Sequence, residues 1–231
     1  MHIVIISPTY WEVFRFIRSE KFKKEGPTSY SLRRNNFFVQ LEISGIGAEN
    51  GRRACERLVQ LNADLILCVG FAGGLKAEVK AGDIVLDGDK SDPKILSLVQ
   101  ILCGKRGFSC FAGKFWNSSA PLLRSGEKLG VSQKSSSLAV EMEGEAVWEF
   151  ARSKGISFAS VRSVSDTLMD DLPLAVTALG YQGKIGWNFW KIFVLRPWEW
   201  PAFFKLVFNS GIAGRNLQLI LSNLIRDTHF L

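Results

Sequence analysis

Runs of consecutive apolar residues alternate along the chain with stretches whose apolar positions recur at helical spacing, the pattern of an α/β protein rather than an all-β one. Residues 2–7 read as a buried strand, and 12–24 as an amphipathic helix that Gly26-Pro27 breaks. Residues 36–44 predict another strand. Gly45-Ile46-Gly47 then turns into a helix over 48–61 with Cys55, Leu58 and Val59 facing inward. The apolar run 64–70 is a core strand, and Gly73-Gly74 beyond it reads as a tight turn. Residues 82–86 form a short strand, and 87–107 reads as a loop with one short helix. A strand over 108–117 and a helix over 120–133 follow.

The most telling stretch is 139–166. Glu141-Met142-Glu143 opens an amphipathic helix in which Ala146, Val147, Phe150 and Ala151 share one face. Gly155 ends it, and 156–164 is a buried strand that stops at Ser165-Asp166. In an open α/β sheet that end of a strand is where ligands bind. Each acid alone has an ordinary explanation, since Glu near a helix start suits the dipole and Asp after a strand often caps the next helix.

The chain has 231 residues, 47% of them apolar, enough for a full core. Its net charge of +7 is concentrated early: Arg15, Arg18, Lys21, Lys23, Lys24, Arg33 and Arg34 surround Phe14, Phe16 and Phe22. Such a cluster suits nucleic acid, anionic lipid or water. No zinc-finger, helix-turn-helix or RNA-binding signature supports nucleic acid. The four cysteines lack CxxC spacing, Cys68 falls in a core strand, and the N-terminus lacks the layout of a signal peptide. These features point to reduced thiols and a cytoplasmic protein. The two histidines, His2 and His229, stand at the extremities, which argues against His-based triads and metal centres. Catalysis must then rest on carboxylates, hydroxyls and arginine. Neither a full GxGxxG nor a P-loop motif occurs, so SGIG at 44–47 is only a weak phosphate-cradle signal.

Four ordered pieces resemble the nucleoside phosphorylase/nucleosidase superfamily, near the methylthioadenosine/adenosylhomocysteine nucleosidases. They are a first strand leading to Glu12, SGIG at 44–47, VGFAGGL at 69–75 with GDIVL at 82–86, and VEMEGEA…VRSVSD within 140–166. The resemblance implies a three-layer α/β/α fold with a mixed, twisted central sheet. It also implies cleavage of an N-ribosidic bond through an oxocarbenium-like sugar, with no metal or organic cofactor. By the same resemblance Glu143, with its neighbour Glu141, binds the ribose hydroxyls, and Met142 packs on the sugar. Asp166, oriented by Ser165, protonates the leaving base, for which burial would have to raise its pKa. Arg162 orders the nucleophile and Glu12 activates water. Ser44, Phe71, Ala72, Gly73 and the base-binding segment with Ala120, Pro121 and Leu122 complete the site. Phe71 replaces a small hydroxyl residue, and 117–122 lacks the usual stacking aromatic. Arg15 is a basic residue that would admit inorganic phosphate, so water and phosphate both stand as acceptors. The resemblance further implies a homo-oligomer acting on a small-molecule nucleoside.

The chain is expected to divide into a catalytic core, 1–182, and an aromatic-rich helical C-terminal extension, 183–231, packed on that core. Within the extension Trp187, Trp190, Trp198 and Trp200 alternate with Phe189, Phe193, Phe203 and Phe204, flanked by Lys184, Lys191, Arg196 and Lys205. Rings with basic neighbours on short helices broken at Pro197 and Pro201 suit a membrane interface, placing 183–208 peripherally on the inner face. Packing against the domain or a second subunit suits them as well. Leu217, Ile220, Leu221, Leu224 and Ile225 predict a core-packing final helix. The extension resembles that of hopanoid-associated phosphorylases, which implies a lipid-linked adenosine (adenosylhopane) as substrate. Two alternatives stand beside it: a methylthioadenosine/adenosylhomocysteine nucleosidase, and a membrane-surface binding protein on an inactive phosphorylase scaffold.

Overall fold

The computed structural model describes residues 1–34, 37–58, 62–180 and 183–227. The first half of the chain supplies β1 (His2–Ser7), α1 (Tyr10–Glu20), β2 (Lys23–Lys24), β3 (Ser29–Arg34), β4 (Phe37–Ile43), α2 (Ala48–Leu58), β5 (Leu65–Gly74), β6 (Ile84–Asp87), α3 (Pro93–Arg106) and β7 (Cys110–Gly113). The second supplies β8 (Phe115–Asn117), α4 (Ser125–Lys134), β9 (Ala139–Glu141), α5 (Gly144–Ser153), β10 (Ser157–Asp166), α6 (Trp187–Leu195) and α7 (Trp200–Asp227). All the strands join one ten-stranded mixed sheet in the order β2-β3-β4-β1-β5-β10-β6-β7, with β9 pairing on β5 and β8 on β9. This is the three-layer α/β/α arrangement expected from the sequence.

The central strands β4, β1, β5 and β10 run parallel. They are nearly continuous apolar runs because helices cover both faces. Alternate residues of β1 divide between the two layers. Ile3 and Ile5 join Phe16, Val99 and Leu221 on the side of α1, α3 and α7. Val4 and Ile6 join Ala54 and Val147 on the side of α2 and α5.

Several boundaries differ from the sequence expectation, each for a local reason. α1 stops at Glu20 because Lys21 adopts a left-handed φ of 59° and its N–H returns to the helix carbonyls. Lys23–Lys24 is thereby freed to pair with β3, a strand whose buried Tyr30 and Leu32 are masked by basic and serine neighbours. The region 87–107 holds a 14-residue helix, α3, capped by the Asp92 carboxylate on the Lys94 N–H and started by Pro93. The span 108–117 is two strands rather than one, and α4 starts at Ser125 rather than 120. Glu141-Met142-Glu143 does not open a helix: Glu141 ends β9, and α5 begins at Gly144 with Glu143 as its cap residue. Pro201 does not break the tail. It occupies the first turn of α7, where its missing N–H is not needed. Asn36, Val59 with the rest of 59–61, Gln182 at the expected domain boundary, and His229 lie outside the described residues.

The second half of α7 buries Leu217, Ile220, Leu221, Leu224 and Ile225 completely, within the same cluster as the sheet and α1. No helix among the described residues is long and apolar enough to cross a membrane. Leu221→Ala is expected to cost about 2–5 kcal/mol by creating a cavity at the sheet–α7 contact. Urea unfolding would read this as a lower midpoint at unchanged slope.

Candidate active site

The carboxyl ends of β1, β5 and β10 open onto a cavity of about 580 Å³. Its polar end is built by Thr9 and Glu12 after β1, Phe71 to Gly73 on β5, Glu141 to Glu143 at the β9–α5 junction, and Ser165 and Asp166 closing β10. Ala120, Pro121 and Leu122 line it from the segment after β8. The structure therefore brings the sequence-expected residues to one cavity, except Ser44 and Arg162. Ser44 is buried, and its hydroxyl is held by the carbonyls of Gly45 (2.8 Å) and Ser7 (3.3 Å).

Glu12 projects from the first turn of α1. Its Oε1 accepts from the Thr9 hydroxyl at 2.8 Å and its Oε2 from the Phe71 N–H at 2.7 Å. The approach is possible only because residue 70 is glycine. A Cβ there would stand 2.1 Å from Glu12 Oε2 and 2.7 Å from Arg162 Nη1, on a backbone with φ of 152°. Gly73 serves Asp166 in the same way, since a Cβ there would lie 2.9 Å from Oδ2. Gly73-Gly74 is consequently not a tight turn; β5 continues through it. Phe71 gives its N–H to Glu12, while its ring tip rests against Gly214 of α7.

Arg162 is fully buried on β10 and does not line the cavity. Its Nη2 donates to Glu141 (2.8 Å), Glu143 (3.3 Å) and the Cys68 sulfur (3.2 Å). Burial works against its charge, but Cys68, Glu141 and Glu143 outweigh that and hold it protonated. Both oxygens of Glu141 are occupied. Oε2 accepts from Arg162 and from the N–H groups of Glu143 and Gly144, and Oε1 from Asn117 Nδ2 at 2.9 Å. Glu141 thus braces the turn into α5 and the start of the base segment.

Glu143 faces the cavity with Oε1 on the Gly47 N–H at 2.8 Å. Burial, reinforced by the like charges of Glu141 and Glu12 and opposed by Arg162, raises its pKa to about 7. Burial also pushes Glu12 above the usual carboxylate range, with Arg162, the Phe71 N–H and Thr9 resisting the shift. Met142, between the two glutamates, lines the same space.

Asp166 accepts from the Ser165 hydroxyl at 2.7 Å through Oδ1 and from Lys128 through Oδ2. Lys128 was not anticipated. Within the polar helix sequence SGEKLGVSQK nothing distinguishes it from a solvated lysine. The Thr9 hydroxyl on Glu12, three residues on, was likewise missed, and SGIG and the base segment gave no sign that Gly47 would meet Glu143 or Asn117 would meet Glu141, each far away in the chain. Beyond the carboxylates the walls turn apolar, with Leu172, Val176 and Leu179 facing Phe189, Phe203 and Val207 from α6 and α7. Among the described residues no group of His, Cys, Asp and Glu could hold a metal ion.

No protein-family model matches the chain. It is 23% identical over 164 residues to a 5′-methylthioadenosine/S-adenosylhomocysteine nucleosidase of Staphylococcus haemolyticus, covering 59% of this chain and 72% of that protein. It superposes on the nucleosidase of the same name from Neisseria meningitidis, in complex with methylthio-immucillin-A, with a TM-score of 0.73 at 17% identity over 97% of this chain and 98% of that one. Native futalosine hydrolase of Helicobacter pylori gives 0.69 at 13% identity, over 96% and 98%. The shared fold is complete, and the sequence similarity with the Staphylococcus protein extends over more than half of the chain. The chain therefore has the fold of these nucleosidases over nearly its whole length.

Proposed function

We propose that the protein cleaves the N-ribosidic bond of an adenosine-type nucleoside and releases the base. The observation that carries this reading is the convergence of Glu12, Glu143 and Asp166 on one cavity, with Met142 between them. Ribose hydroxyls donate to the Glu143 carboxylate, and these hydrogen bonds strengthen as the sugar becomes cationic. The thioether of Met142 packs on the sugar. Asp166 gives a proton to the base as the bond to C1′ breaks and its electron pair moves to the base. Ser165 keeps that carboxyl in plane. Water attacks C1′ and gives its proton to Glu12, whose raised affinity for protons suits a general base. Water is favoured over phosphate because Glu12 already occupies the Phe71 N–H and its charge repels an anion. Arg15 at the cavity lining is the feature that favours phosphate.

The substrate we favour carries a hydrocarbon on the 5′ side, as in adenosylhopane. The apolar wall from Leu172 to Val207 supports this, because a small 5′ group would leave it unfilled. The alternative, a methylthioadenosine/adenosylhomocysteine nucleosidase, is supported by what the Staphylococcus and Neisseria relatives are named for. An inactive binding protein is disfavoured by the presence of all three acids. We further propose that the aromatic face rests on a membrane surface. Trp187, Trp198 and Phe208 are 82%, 69% and 70% exposed, beside Lys184, Lys191 and Arg196. We also expect a homo-oligomer, in keeping with the superfamily.

Incubation with adenosine, methylthioadenosine and adenosylhopane should release adenine and free ribose product without added phosphate, fastest from the lipid-linked compound. A ribose 1-phosphate product would assign phosphorolysis instead, and no adenine from any of the three would refute the reading. Glu12→Gln should lower kcat about 10²–10⁴-fold by removing the base. The acid limb of kcat/KM should fall below about pH 7, where Glu143 becomes protonated and stops accepting from the ribose. The same raised pKa makes the ionised form a burden on the fold. Its cost is absent below the ordinary Glu range, grows as pH rises from about 4.5 and is complete above about 7. Glu143→Gln should therefore gain thermal stability over the wild type at pH 8 but not at pH 4. Flotation with vesicles of phosphatidylglycerol and phosphatidylethanolamine should be lost in the Trp187→Ser, Trp198→Ser, Phe208→Ser triple variant. Equal flotation of that variant would remove the membrane assignment.

A further inference from the structure

Lys128 is completely buried on α4, a position lysine rarely takes without a partner. Its ammonium group donates to Asp166 Oδ2, to the Thr167 carbonyl at 3.0 Å and to the Asp170 carbonyl at 2.9 Å. All three N–H donors are satisfied, and one carboxylate, Asp166, takes the charge. The other charged groups nearby are otherwise engaged. The Asp170 carboxylate faces Lys205 and the N–H and hydroxyl of Thr167. Asp171 faces Arg124 and the Ser125 N–H. Glu199 faces Arg124, Arg196 and the Leu174 N–H. Arg162, Glu141 and Glu143 pair with one another at the other side of the site.

We propose that Lys128 is the positioning residue of the leaving-group acid. The inference rests on the reading of Asp166 given above. As the glycosidic bond breaks, the proton on the Asp166 carboxyl moves to a base nitrogen, and negative charge appears on the carboxylate beside an ammonium already in place. That charge is stabilised where it develops, without reorganisation of solvent. Lys128 and the Ser165 hydroxyl grip different oxygens, which fixes the carboxylate plane relative to the base segment.

The test is kcat and KM for adenine release, alone and on the Asp166→Asn background. Lys128→Met should lower kcat about 10–100-fold with KM little changed, because the charge it meets develops only as the bond breaks. Lys128→Arg, which restores the charge, should recover most of kcat. On the Asp166→Asn background Lys128→Met should have no further effect on kcat. If Lys128→Met does not fold, as judged by circular dichroism, Lys128→Gln removes the charge while keeping amide donors for the two carbonyls, and carries the same expectation. A rise in KM with kcat unchanged, no recovery in Lys128→Arg, or effects of the two substitutions that multiply, would overturn the proposal while leaving nucleoside cleavage intact. A wild-type enzyme that releases no adenine at any pH would instead remove the parent reading, and this inference with it.

Discussion

The glutamates of the site depend on the buried cation they share. Arg162 stands beneath the cavity floor with Glu141 and Glu143 in direct contact and Glu12 close by across Gly70. Carboxylates gathered this closely and withdrawn from water repel one another, and each carries a large desolvation cost unless a cation meets it. The guanidinium fork supplies several donors in fixed directions, which a lysine at the same place would not. With that cation in place the two glutamates at the β9–α5 junction take different tasks. Glu141 is spent on architecture, while Glu143 keeps its charge turned towards the cavity and its pKa near neutrality.

A second constraint is room. The carboxylates reach the cavity through gaps where β5 has no side chain, at Gly70 and Gly73. The reach of the carboxylates is therefore encoded in residues that have no chemistry of their own. In this chain the VGF and AGGL segments make room for acids that lie far away in sequence, and the glycine pair resembles a turn only when read locally.

Much of the framework was legible because the parallel strands are continuous apolar runs and the inner faces of the helices repeat at 3–4 residues. The convergence of Glu12, Met142, Glu143, Ser165 and Asp166 was legible because the motifs occur in a fixed order. What escaped had no local signal. β3 hides two buried residues among serines and arginines, and α3 offers little contrast between its faces. Lys128 looks like any helix-surface lysine until the fold places it on Asp166. Arg162 was legible as important, but its direction was not. A residue on a strand covered on both faces can serve the cavity from behind rather than from within it.

The final helix carries a consequence for how the protein responds to being held. α7 runs unbroken for 28 residues, about 42 Å, from the exposed aromatic face to the centre of the sheet. Its first half contributes Phe203 and Val207 to the cavity wall, and its second half is locked into the core by Leu217, Leu221 and Ile225. A rod of this kind does not bend at low cost between the two ends. Whatever grips the outer aromatic end therefore also fixes the angle of the cavity wall, so that anchoring and the shape offered to a ligand are one mechanical variable.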